Sequence, residues 1–301
     1  MGFFRTFGIL LVMAINLSCS RSTTGEISTI QVHGHRGEAG NYPENSLPAF
    51  LSAVEKGVDA IEMDVVISGD KKVVVSHDPY MAAGYMMTPH GKKISKRDEE
   101  SYNLYQMSYA SIKEFDGGSK FNRLFPKQKK MKTYKPLLEE VIDSIENSTS
   151  QNNLRAVVYN IELKSDPGRY GDFQPYPEEF SELVLKVIRE KGIEDRVILQ
   201  SFDPILLNVL NKDRPRVKLS FLVTSRDIEK NLSRLDFLPD IYSPRYKIVL
   251  LKEQVDEIKA KNMKIIPWTV NKRKHIKRMI KLGVDGIITD YPEKVLQELN
   301  R

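Results

Sequence analysis

Cysteine, tryptophan and histidine are scarce in this chain: 301 residues hold one Cys, one Trp and five His. A single thiol excludes a disulfide within the chain, so the fold must rest on its apolar core. No apolar run reaches the eighteen or so residues of a spanning helix. Neither a repeat of solenoid period nor a low-complexity tract occurs, which argues against a stacked-repeat architecture. Aromatic residues do not interleave with the basic ones and no DNA-reading motif is present, so the net charge of +6 gives no sign of a nucleic-acid partner. That charge suits an anionic small molecule or an acidic membrane surface. The densest basic stretch, "KQKKMKTYK" at 127–135, reads as a solvated loop, and nothing implies a protein partner.

The bulk composition, 41% hydrophobic and 29% charged, is enough to bury one large domain or two ordinary ones. The N-terminus is more specific. In "MGFFRTFGILLVMAINLSCS" an early arginine precedes an apolar run from Phe7 to Ile15, followed by small residues. The run has the length of a signal-peptide core. Cys19, the only cysteine, follows directly, an arrangement that resembles a bacterial lipoprotein signal, although Asn16 stands where that pattern usually has leucine. The expectation is a signal over 1–19, a flexible tether over 20–29, and export to the bacterial periplasm, outer membrane or cell surface with a lipid anchor at Cys19. Cleavage without lipidation is the alternative. "MGFFRT" also fits a myristoylation pattern, but the export core that follows argues against it.

Beyond the tether, short apolar runs alternate with amphipathic ones. Strands are predicted at 30–35, 60–67, 156–164, 196–202, 217–223, 240–244, 263–270 and 286–290, with helical patterns between them such as "PEEFSELVLKVIREKG" and "LKEQVDEIKAKN". Eight such units predict an α/β fold, a (β/α)8 TIM barrel over 30–301, with an open doubly wound sheet as the alternative. Residues 79–135 break the rhythm. They are tyrosine-rich, poorly periodic and follow a further strand-like run, "KVVVSHD" at 72–78. They read as an insertion after the second strand region, on the side of the barrel that carries chemistry.

The candidate site residues lie at strand ends. Glu62 and Asp64 in "IEMDV", and Glu162 and Lys164 in "NIELK", each sit two apart on a strand and so share a face. Acids facing a barrel interior are costly unless a cation lies between them. Glu62, Asp64 and Glu162 therefore form a candidate hard-cation site for Mg²⁺ or Ca²⁺, against the simpler reading of a solvated edge strand. His35 and His77 end strands at the same barrel mouth and suit acid–base work near neutral pH. Arg36 suits bidentate phosphate recognition, and Lys164 offers a point charge opposite it. Glu44 and Asn45 in "PENS" stand near the metal site or, for Asn45 or Ser46, cap the first helix. Trp268 either walls a substrate pocket or belongs to the core. Gln200 and Asp290 are expected to orient the groups around the metal. His33 reads as core or supporting, and His90 and His275 as surface. The glycines beside His35 are expected to let the backbone approach a ligand.

Together "HRGEAGNYPENS", "GVDAIEMDVVISGD", "VVVSHD", "NIELK", "WTVN" and "ITDYP" resemble, in order and from about residue 30 to the end, the glycerophosphodiester phosphodiesterase family. The resemblance implies a (β/α)8 barrel, a divalent cation and cleavage of glycerophosphodiesters to sn-glycerol 3-phosphate and an alcohol. Its catalytic histidines fall on His35 and His77 and its metal carboxylates on Glu62, Asp64 and Glu162. Its phosphate contacts fall on Arg36 and Lys164, and its small extra subdomain on the insertion after His77. The attacking oxygen is left open between water and the substrate's own glycerol hydroxyl. Two rivals stand beside this reading: a related barrel enzyme acting on lysophospholipids, and a lipoprotein that binds phosphodiesters without cleaving them.

Overall fold

A computed structural model describes residues 1–3, 30–213 and 216–301. The proposed export signal, Cys19 and the tether lie outside these residues, apart from the first three positions. The chain runs β1 (Gln31–Gly34), α1 (Leu47–Glu55), β2 (Ala60–Ile67), β3 (Val73–Val75), α2 (Tyr109–Lys113), α3 (Leu138–Gln151), β4 (Val158–Leu163), α4 (Pro177–Lys191) and β5 (Val197–Ser201). It continues α5 (Pro204–Lys212), β6 (Lys218–Val223), α6 (Ile228–Leu232), β7 (Ile241–Pro244), α7 (Lys252–Ala260), β8 (Lys264–Ile265), α8 (Arg273–Leu282), β9 (Gly286–Thr289) and α9 (Pro292–Glu298). Helix starts follow local chemistry. Proline opens α4, α5 and α9, where its missing N–H has no intrahelical partner to lose. Asp203 caps α5 by accepting from the Ile205 N–H at 2.9 Å.

Strand order is β8-β7-β6-β5-β4-β2-β1-β9, and every pairing in that row is parallel. The ends meet through irregular backbone. Asp285 N–H donates to the Ile265 carbonyl at 2.9 Å, Ile288 N–H to Pro267 at 3.0 Å, and Val270 N–H to Ile288 at 2.9 Å. A parallel sheet joined to itself, with a helix after each strand, is the (β/α)8 barrel. The predicted strand over 263–270 shortens to two residues because the segment beyond β8 makes this closure instead of a regular ladder.

The core divides by face. Outward-pointing residues such as Ile61, Met63, Tyr159, Ile161, Leu199 and Phe221 pack with the helices into the main apolar cluster. Inside the barrel a small plug of Ile198, Ile241, Ile266 and Ile288 gives way to polar groups along the same strand faces, Gln200 following Ile198 and Ser243 following Ile241. Alternation along each strand thus sends one set of side chains to the helices and the other to the site.

β2 outruns the barrel. Its pairing with β4 ends at Val65, and Val65–Ile67 pair antiparallel with β3. Asp64, in mid-strand, is therefore the last inward side chain of the barrel portion. Between β3 and α3 the chain builds its own apolar cluster, in which Met81, Met86, Ile94, Leu104 and Ile112 pack against Val66 and Val74 of the hairpin.

Candidate active site

β1 ends at Gly34 and the chain turns at once, which leaves His35 and Arg36 on the barrel rim. The turn is tight. A β-carbon on Gly34 would lie 2.2 Å from the Gly37 carbonyl oxygen, and one on Gly37, at φ +83°, would lie 2.6 Å from the backbone carbon of Ala49 in α1. These glycines do not make room for a ligand, as the sequence led us to expect; the space they leave is filled by their own turn and by α1. Arg36 itself has φ +50°, a left-handed conformation uncommon outside glycine. This directs its N–H to Glu62 Oε2 at 2.8 Å. Its guanidinium donates to Glu44 Oε1 at 2.7 Å and lies 3.3 Å from Asp64 Oδ2.

Asn45, at φ +54°, clasps Asp64 in both directions. Its Nδ2 donates to Asp64 Oδ2 at 2.8 Å, and the Asp64 N–H donates to its Oδ1 at 3.2 Å. Of the two roles weighed for Asn45, the structure places it against Asp64. Ser46 occupies the helix N-cap, but its hydroxyl turns back to the Pro43 carbonyl at 2.5 Å.

Glu62, Asp64 and Glu162 are buried, and each offers an oxygen within 4.8 Å of the others. In register, Asp64 sits directly beside Glu162. Burial pushes Glu62 up to about 8, with His35 opposing and Asp64 and Glu162 adding to the rise. Burial also raises Glu162, against Lys164. For Asp64 the balance reverses: burial is outweighed by Arg36, His77 and Lys164, which hold it well below the usual carboxylate range. Lys164 Nζ lies 2.6 Å from Glu162 Oε1 and 3.7 Å from Asp64 Oδ1. Gln200 donates to Glu62 Oε1 at 3.0 Å. Asp64 Oδ1 and Gln200 Oε1, both buried, have no hydrogen-bond partner. Three buried hard-oxygen donors, two of them retaining protons above their usual range, fit a divalent cation.

His35 Nδ1 lies 2.5 Å from Asp290 Oδ1, and its Nε2 lies 4.0 Å from Glu62 Oε2. Burial would lower its pKa, but Asp290 and Glu62 outweigh burial and raise it to about 9. Asn271 donates to the other Asp290 oxygen at 2.5 Å. His77 is more open, with Nδ1 3.2 Å from Asp78 Oδ1. Electrostatically, Glu62 feels His35, Glu162 feels His77 and Asp64 feels both. Two imidazoles and two cations thus converge on one carboxylate cage. A cleft of about 880 Å³ opens above it, with Arg36, Glu44, His77 and Asp78 among its lining residues.

Residues 35–294 match the Glycerophosphoryl diester phosphodiesterase family. A glycerophosphodiester phosphodiesterase from Caldanaerobacter subterraneus subsp. tengcongensis is 32% identical over 265 residues, 88% of this chain and 96% of that protein. One from Bacillus altitudinis is 30% identical over 268 residues, 89% and 97% of the two chains. The chain belongs to the glycerophosphoryl diester phosphodiesterase family. A crystal structure from Silicibacter pomeroyi, assigned to the same family, superposes with a TM-score of 0.81 at 29% identity, over 92% of this chain and 95% of that one.

In this family member, several neighbours of the site escaped the sequence reading. Asp78 and Asn271 stand inside the stretches "VVVSHD" and "WTVN", next to residues already singled out, so adjacency was a usable signal. Lys135 gave none. It closes the basic stretch read as a solvated loop, yet it is buried and donates to Ser76 Oγ at 2.7 Å and Tyr85 Oη at 3.3 Å. Burial lowers its pKa to about 8, with Asp78 and Glu44 opposing. Trp268 does not line the large cleft. Its indole N–H donates to the Ser243 carbonyl at 2.9 Å, and its ring meets Phe202 edge-on at 5.3 Å. Phe202 in turn lies 6.0 Å from Lys164 Nζ. His33 is buried inside the barrel beside Asn160. His275 is half-buried and stacks on Tyr246 at 4.9 Å, so it is not simply a surface residue.

Proposed function

We propose that this protein hydrolyses glycerophosphodiesters to sn-glycerol 3-phosphate and a free alcohol, using a divalent cation, Ca²⁺ or Mg²⁺, with His35 and His77 moving the protons. One observation carries the reading: two imidazoles and two phosphate-suited cations converge on a single buried three-carboxylate cage. The activity named for relatives at 30–32% identity supports it.

Glu62, Asp64 and Glu162 would hold the cation, which would supply positive charge beside the phosphate and stabilise the negative charge carried by its oxygens as the bond breaks. Arg36 and Lys164 grip the phosphate from two sides, Arg36 through a planar fork already oriented by Glu44. Asp290 occupies Nδ1 of His35, which leaves Nε2 as the atom that exchanges protons at the mouth of the site. One imidazole accepts the proton of the attacking oxygen, and the other gives a proton to the alcohol oxygen as its bond to phosphorus breaks.

The test is release of glycerol 3-phosphate from several glycerophosphodiesters, read by a coupled assay with and without Ca²⁺, Mg²⁺ and chelator. His35→Ala and His77→Ala should each lower turnover by about 10²–10⁴-fold with the fold intact. Near-normal rates in both variants would remove the acid–base assignment. Tyr80, Ile94 and Phe121 on the cleft wall favour a second reading, in which the substrate keeps one acyl chain. Faster turnover of acylated than of deacylated glycerophosphocholine would select it.

The reading extends to location. The apolar run from Phe7 to Ile15, with Cys19 shortly after it, supports export and a lipid anchor, and Cys19→Ser should move the protein from the membrane fraction to the soluble one.

A further inference from the structure

The cleft is larger than its proposed product requires. About 880 Å³ is the size of a site for a drug-sized ligand, whereas glycerol phosphate is a three-carbon fragment. Arg36, Glu44 and His77 line part of the cleft, and side chains from residues 78–124 line the rest, its outer arm. Five cationic side chains, Arg36, Lys93, Lys96, Lys120 and Arg123, face it against three carboxylates, Glu44, Asp78 and Glu99. Those acids are already engaged: Glu44 with Arg36, Asp78 with His77, and Glu99 with Lys96 and the Ala83 N–H. Lys93, Lys120 and Arg123 remain as a cluster. Lys120 reaches only the Ala83 carbonyl, and among the described residues neither Lys93 nor Arg123 has an ion pair.

The cluster is also set against itself. Burial lowers the Lys120 pKa, and Lys93 and Arg123 lower it further, with no carboxylate opposing them. Like charges this close on a partly solvated cleft wall repel weakly through the solvent, and an anion between them would relieve that repulsion. The chain reinforces this sign, since residues 117–138 contain seven Lys or Arg and no Asp or Glu.

We propose that this outer arm of the cleft binds a second phosphate carried by the alcohol portion of the substrate, so that the preferred diesters are those whose leaving alcohol is itself phosphorylated. The inference rests on the phosphodiesterase reading above and names its substrate class. The scissile phosphate lies at Arg36 and Lys164, and the distal phosphate lies among Lys93, Lys120 and Arg123. A cationic head group such as choline meets the wrong sign there.

The experiment compares kcat/KM of the full chain on glycerophosphoglycerol phosphate, which carries a terminal phosphate, and on glycerophosphocholine. The expected ratio is about tenfold or more in favour of the phosphorylated alcohol, falling as salt is raised. The triple variant Lys93→Gln, Lys120→Gln, Arg123→Gln should lower that ratio by about tenfold, and Arg123→Glu alone should lower it in the same direction. Because a ratio is read, a general loss of folded enzyme does not imitate the result. A wild-type ratio at or below one, or one unmoved by the triple variant, overturns the inference while leaving hydrolysis itself established. An unchanged ratio with loss of binding to phosphatidylglycerol vesicles also overturns it, and assigns these cations and the exposed Leu124 to a lipid surface. Failure to release glycerol 3-phosphate from either diester overturns the phosphodiesterase reading first, and this inference with it.

Discussion

At the scale of single residues, the site is a set of charges that restrain one another. Asp290 is the clearest case, because it fixes both the orientation and the charge of His35. Asp290→Asn keeps the shape and removes the charge. His35 then becomes less basic, so the limb of the pH–rate profile that it controls should move to lower pH, with kcat reduced by about 100-fold. An unshifted profile would separate Asp290 from His35. His33 shows the opposite balance. Burial lowers it to about 4 from 6.5, with Asp59 opposing. Between those values the unfolded chain binds a proton that the folded chain does not. The stability tied to His33 is therefore complete above pH 6.5 and is lost as pH falls towards 4, by about 3 kcal/mol. His33→Gln should flatten the denaturant-measured stability curve across that window. A slope identical to wild type would show that His33 does not titrate there.

At the scale of elements, two left-handed residues and a pair of glycines shape the loop between β1 and α1. Arg36 and Asn45 bring a backbone N–H to Glu62 and a carboxamide to Asp64, so the loop braces β2 from outside the sheet. Gly37 is the point where α1 touches that loop. Gly37→Ala combines an unfavourable φ with a clash against backbone that has no side-chain freedom to yield. It should lower stability by roughly 1–3 kcal/mol and loosen the carboxylates, both visible in a thermal melt and in metal affinity. A melt unchanged from wild type would mean that α1 shifts away at little cost. The strand faces that carry Glu62, Asp64 and Glu162 were legible from alternation alone, because a period of two follows from the pleat. Why Gly34 and Gly37 are glycines was not legible, because the atoms that require it belong to α1 and to the turn itself.

At the scale of the whole molecule, the cage gathers three buried carboxylates whose mutual repulsion a bound cation would relieve. A ligand that binds only the folded chain stabilises it by about 2.7 kcal/mol at a hundredfold excess over its Kd. Saturating Ca²⁺ or Mg²⁺ should therefore raise the melting temperature by several degrees and release protons on binding, the more so near pH 7 where Glu62 still holds one. Glu162→Gln should reduce or abolish the temperature shift while leaving the metal-free melt close to wild type or higher. A full shift in that variant would place the cation elsewhere.

The sequence alone determined the alternation of strands and helices, the acid pairs on shared faces and the ordered motifs of the family, because each depends on residues near one another in the chain. Barrel closure across β8 and β9, the clasp of Asn45 on Asp64, the seating of Asp290 on His35 and the burial of Lys135 were decided only by tertiary structure. Each of these joins groups from distant parts of the chain, and whether such groups meet depends on how the barrel closes and on how the segment between β3 and α3 packs against the β2–β3 hairpin.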